Sequence, residues 1–104
     1  MLTNGIASSA PGRYAVVGPM EFANAAALLE QGSAAFSAAA PGAALSVDLL
    51  QVGRTDSAGL AVLMEWLATA RHSGHNLTVI NAPATLLALA RVSQLDTIIL
   101  GAQP

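Results

Sequence analysis

The chain has 104 residues, 54% hydrophobic and only 10% charged, with a net charge of −2 and four arginines but no lysine. That balance excludes disorder, a basic nucleic-acid footprint and a polybasic membrane patch, and leaves room for one core. The absence of cysteine excludes a disulfide framework, a thiol nucleophile and a thiolate metal site.

Residues 1–12 are small and polar and read as a flexible or weakly paired lead-in, with a short first strand around Gly5–Ser8. They lack the basic start and continuous apolar core of a signal peptide. Arg13–Val17 is a strand, since Tyr14, Val16 and Val17 suit a pleated surface, and Gly18-Pro19 ends it. Phe22–Ala38 reads as a helix that buries Phe22, Ala26, Leu29 and Phe36. Its Gly32 costs about 1 kcal/mol relative to alanine. Pro41-Gly42 then turns the chain.

The strand Ala44–Leu50 follows, and the close spacing of Leu45, Val47, Leu49 and Val52 suggests burial on both faces. After the turn Gln51–Asp56 the period changes. Leu60, Leu63, Met64 and Leu67 fall at helical spacing in a helix Ser57–Arg71. Gly74 is placed as its left-handed C-cap. Leu77–Asn81 is a strand, and Pro83 opens a helix to Val92 with Leu86, Leu89 and Ala90 inward. Ile98–Leu100 reads as a last strand before a tail at 101–104. The fold class is therefore α/β. Helices linking successive strands imply parallel pairs with right-handed crossovers.

No run approaches the roughly 18 apolar residues of a membrane span. The longest candidate, Ala58–Ala70, is interrupted by Glu65. Direct membrane insertion and nucleic-acid binding are not expected. The low charge does suggest apolar surface that wants a partner.

The polar turn between the central strand and helix, Arg54-Thr55-Asp56-Ser57-Ala58-Gly59, is where an α/β domain usually exposes its function. Asp56 or Ser57 accepts bonds from the first free amides of the helix. Ser57 is also a candidate contact or modification site, because a phosphate there would meet the helix dipole. Gly59 permits close approach of another backbone, most simply inside the domain. Trp66 flanks the apolar stripe, either closing the rim of the core or anchoring a partner.

A Ser57–His–Asp56 triad does not assemble locally. His72 and His75 lie about four turns down the same helix, roughly 22 Å away. The two histidines have no carboxylate at ligand spacing, so no metal site is expected. Neither a GxxxxGK[ST] loop nor a GxGxxG run occurs, so no nucleotide cofactor is implied.

The central stretch resembles the STAS domain family on two motifs: Val47-Asp48-Leu49, and Asp56-Ser57-Ala58-Gly59-Leu60 opening a helix. The resemblance covers about Arg13 to Leu100. It implies a four- to five-stranded mixed, mostly parallel sheet with three or four helices packed on it. Two branches compete. In anti-sigma-factor antagonists the serine at the position of Ser57 is phosphorylated by a partner kinase. In the STAS subunit of the Mla phospholipid-transport ABC system of Gram-negative bacteria, that position lies at the interface with the ATPase.

Arg54, Ala58, the Ala90–Leu95 run and the absence of an antagonist-type Gly-Glu-x-Asp motif are similar to the Mla branch. Thr55, where that branch usually has an apolar residue, departs from it. The resemblance implies a non-catalytic cytoplasmic protein without cofactor, peripheral to the inner membrane. Its partner would be the ABC ATPase, in a complex with a permease and a lipid-binding periplasmic subunit. The contact residues would be Arg54, Thr55, Asp56, Ser57, Ala58, Gly59 and Trp66.

Overall fold

The computed structural model describes residues 4–103. Met1–Thr3 of the expected lead-in and Pro104 of the expected tail lie outside the described residues. In chain order the elements are β1 (Gly5–Ala10), β2 (Arg13–Val17), α1 (Phe22–Ala38), β3 (Ala44–Asp48), α2 (Ser57–His72), β4 (Asn76–Ile80), α3 (Ala84–Val92) and α4 (Asp96–Gly101). Among the described residues the four strands form one sheet in the order β1-β2-β3-β4. β1 and β2 are antiparallel across the Pro11-Gly12 turn, where Gly12 has φ +75°. β2, β3 and β4 run parallel, each joined to the next by a helix as the crossover rule requires. The result is the α/β, mixed and mostly parallel sheet expected. The first strand runs two residues further than the expected Gly5–Ser8.

The core lies on one face of this sheet. In β3 and β4 burial alternates: Leu45, Val47, Leu77 and Val79 are buried, whereas Ser46, Asp48, Thr78 and Ile80 are half-buried. The expectation that the central strand is buried on both faces is therefore corrected. Its polar residues sit at alternate positions, so a period-2 strand directs them away from the helices.

α2 packs against α1 along Trp66. The indole is fully buried and donates from Nε1 to the carbonyl of Leu28 at 3.1 Å. Gly32 makes this possible, because a Cβ there would fall inside the indole ring. The glycine that weakens α1 as an isolated helix is the socket for the tryptophan. Tyr14, Phe36 and Trp66 then stack edge to face, with centroids 5.4 and 6.0 Å apart, a favoured geometry for aromatic quadrupoles. This socket sets the rotation of α1. Its buried stripe is Leu28–Gly32–Phe36, not Phe22, Ala26 and Leu29. Phe36 was placed correctly, but Phe22 is 83% exposed.

The expected strand Ile98–Leu100 is the helix α4. Although the Ile-Ile-Leu run suits a strand, among the described residues the segment meets the outer edge of β4 at one point only, through the residue that follows α4. The Val79 amide donates to Ala102 at 2.9 Å, and helical winding lets Ile99 enter the core fully. Tertiary context overrides a short local preference. After α2, Gly74 has φ +79°, the left-handed backbone expected of it.

Candidate docking site at the start of α2

Two loops, each leading from a strand to a helix, run side by side. Met20 donates to the Arg54 carbonyl at 2.8 Å, and Asp56 donates to the Met20 carbonyl at 3.3 Å. Met20 and Thr55 thereby form a parallel bridge outside the main sheet. Gly59 sits directly beneath it, since an added Cβ would overlap the Met20 carbonyl. Its role is the close packing within the domain foreseen for it, and it is buried. Met20, which drew no attention in the sequence, is fully buried and forms the other half of this junction.

Asp56 joins the two helices. One carboxylate oxygen accepts from the amides of Ala58 and Gly59 at 2.9 and 3.1 Å. The other accepts from the amide of Phe22, the first residue of α1, at 3.1 Å. One side chain therefore caps two helix starts. The Phe22 amide is the main reason the Asp56 carboxyl is held below its ordinary value, with Gly59 and Ala58 adding to it against partial desolvation. α1 and α2 consequently begin together and run in the same direction. Asn24 secures the α1 side, accepting from the Glu21 amide at 3.0 Å and donating to the Pro19 carbonyl at 2.6 Å.

Asp56, rather than Ser57, is the cap, so the exposed Ser57 is not used to close the helix. Arg54 is also exposed and reaches Glu21 at 3.2 Å, a surface pair worth about 1 kcal/mol at most. Ala58 is half-buried. Thr55 turns its hydroxyl inward, where Oγ1 is buried without a hydrogen-bond partner. The hydroxyl lies in the junction beside Gly59.

Arg54, Thr55, Asp56, Ser57, Ala58 and Gly59 are brought together as one turn. Trp66 is not part of it. Its complete burial against α1 corrects the reading of Trp66 as a partner anchor, because its one polar atom and both ring faces are committed to the core. Phe22 takes its place as the exposed aromatic beside the turn. The signal that could have shown this was Gly32, whose missing side chain decides which face of α1 turns inward.

The histidines do not approach Ser57. His72 closes α2 at its far end, and buried His75 bonds through Nδ1 to the Ala43 carbonyl at 3.0 Å. Among the described residues no group of three or more histidine, aspartate or glutamate side chains could hold a metal ion. No described helix is long and apolar enough to cross a membrane.

The family model described as "Mlab, STAS domain" matches residues 7–101. The chain belongs to the MlaB-type STAS family. Comparison with curated proteins finds no match. In this STAS domain the Asp-Ser-Ala-Gly-Leu motif opens α2, and its aspartate also caps the start of α1. Its aspartate and glycine build the turn, and its serine is left facing outward.

Proposed function

We propose that this STAS domain is a non-catalytic subunit that docks on the ATPase of an ABC-type phospholipid transporter through the Ser57 turn. It would sit on the cytoplasmic side of the inner membrane, held there by its partner. The observation that carries this reading is the outward Ser57 on a frame stiffened by Asp56, Met20 and Gly59. A rigid polar knob at a helix start suits recognition by another protein. It does not suit nucleophilic chemistry, because no general base lies within hydrogen-bond reach.

The same geometry weighs against a phosphoswitch as the first choice. The amides that would receive a phosphate on Ser57 already bond the Asp56 carboxylate. A doubly charged group would meet that carboxylate as a like charge. The exposure of the Ser57 hydroxyl nevertheless supports the switch as the second reading, with a serine kinase as partner.

The test is co-purification of the domain with its cognate ATPase. Ser57→Arg and Ser57→Glu are expected to reduce retention about tenfold or more while thermal melting stays unchanged, as for exposed substitutions at a binding centre. Retention equal to wild type overturns the docking reading. Mass spectrometry after incubation with the cognate serine kinase tests the second reading: a stoichiometric phosphate on Ser57 that releases the partner would replace docking with the switch.

A further inference from the structure

Beside the Ser57 turn, the side-by-side course of α1 and α2 leaves a groove of about 270 Å³. It is floored by Ala25, Ala26, Ala58 and Ala61 and walled by Phe22 and Leu29. The floor is almost free of polar atoms, although Ala26, Ala61 and Phe22 are exposed. Charge is confined to its ends. Arg54 stands near the helix starts. Glu65 closes the other end on α2. Glu30, exposed on α1, follows Ala26 by one helical turn, as Glu65 follows Ala61. Among the described residues the one ion pair is Arg54 with Glu21, so Glu30 and Glu65 are not neutralised.

Resting on the docking reading above, we infer that this groove receives an amphipathic helix of the ATPase subunit, with Lys or Arg at the end that meets Glu30 and Glu65. The floor suits a helix. A strand laid on alanine side chains would leave its backbone groups unpaired, whereas a helix satisfies its own and packs by ridges into grooves. From Phe22 to Leu29 the groove runs about 10 Å along α1, or two helical turns. A shallow alanine floor admits the larger side chains of the incoming helix. A second copy that meets the groove with the same face offers only another concave surface and leaves the groove unfilled. The field also fixes direction. The N-terminus of the docked helix, with its partial positive charge, belongs at the unpaired Glu30 and Glu65, and its C-terminus at the opposite end. The docked helix therefore runs antiparallel to α1 and α2.

The experiment measures association of the domain with the cognate ATPase at several salt concentrations. Ala61→Arg fills the groove at an exposed helical position. The double variant Glu30→Lys/Glu65→Lys reverses its charged end. Both are expected to melt like wild type. The double variant is expected to associate at least about tenfold more slowly at low salt and to reverse the salt dependence of the wild type, speeding up as salt rises. A photo-crosslinker at Ala61 is expected to map to a helical ATPase segment carrying Lys or Arg, whose charge reversal restores the double variant. Wild-type association by both variants, with Ser57→Arg still defective, overturns the groove and leaves the docking turn standing. Self-association of the domain that Ala61→Arg abolishes makes a second copy the occupant and overturns the proposal. Failure of the wild type to bind the ATPase removes this proposal together with the reading beneath it.

Discussion

At its start α2 is closed by a side chain that also serves another helix, whereas its end is closed by its own backbone. There the Gly74 amide donates to Arg71 at 3.0 Å and the His75 amide to Ala70 at 2.8 Å, the two bonds of a Schellman motif. His75 then turns into the body and meets the Ala43 carbonyl. The end is self-sufficient. The start depends on a negative charge, Asp56, shared between α1 and α2, and on a second loop lying against it. One helix thus has a self-closed end and an end built from two loops that leaves Ser57, Arg54 and Phe22 exposed. The difference lies in whether orphan backbone groups are satisfied locally or across the fold.

Substitutions at the two ends test that contrast. The largest effect is expected from Gly59→Ala, whose Cβ meets the Met20 carbonyl and Thr55 Oγ1. Both are held in the junction, so the loops must part, at about 2–4 kcal/mol by denaturant unfolding. A wild-type midpoint would show that the junction yields easily, and the contrast would fail.

Asp56→Asn comes next, and its signature is pH. The folded carboxyl titrates below its ordinary 3.8. Its contribution is therefore fully present above that value and is lost as pH falls through the lower folded value. Wild-type melting temperature is expected to drop steeply below about pH 4, and the variant to show a shallower acid limb. Parallel acid limbs would mean that the charge on Asp56 does not hold the helix starts together.

Gly74→Ala is expected to cost only about 1–2 kcal/mol, the strain of a left-handed backbone. Nothing lies within 4 Å of the added Cβ. A loss equal to that of Gly59→Ala would erase the distinction between the two ends. The smallest change is Thr55→Val, which removes a buried hydroxyl without a partner. Stability is expected to rise by up to about 1 kcal/mol; a clear loss would show that the hydroxyl is bonded after all.

The turn was legible because its chemistry is local. A change of period from Val47 to Leu60, with Asp56 and Ser57 between, marks a helix start whatever surrounds it. Choosing between Asp56 and Ser57 as the cap required the structure, since both have the reach, and a second demand on Asp56 came from Phe22, 34 residues earlier. Trp66 and Phe22 were misplaced for one reason. Periodicity gives each helix a stripe, but α2 buries two sides, one toward the sheet and one toward α1, and the depth of the second depends on Gly32. The strand expected at Ile98–Leu100 failed because β-propensity describes a fit to neighbours, and here the segment winds as a helix that buries Ile99 in the core.

By itself the sequence determined the α/β class, the order of its first seven elements, the left-handed Gly74 and the Asp-Ser-Ala-Gly-Leu turn. Each depends on side-chain period, turn chemistry or backbone freedom within a few residues. Only the tertiary structure decided which aromatic is core and which is surface, that the sheet is covered on one face, and that Asp56 serves two helices. Those outcomes depend on pairs far apart in the chain, Gly32 with Trp66, Met20 with Gly59 and Asp56 with Phe22, whose meeting no local pattern encodes.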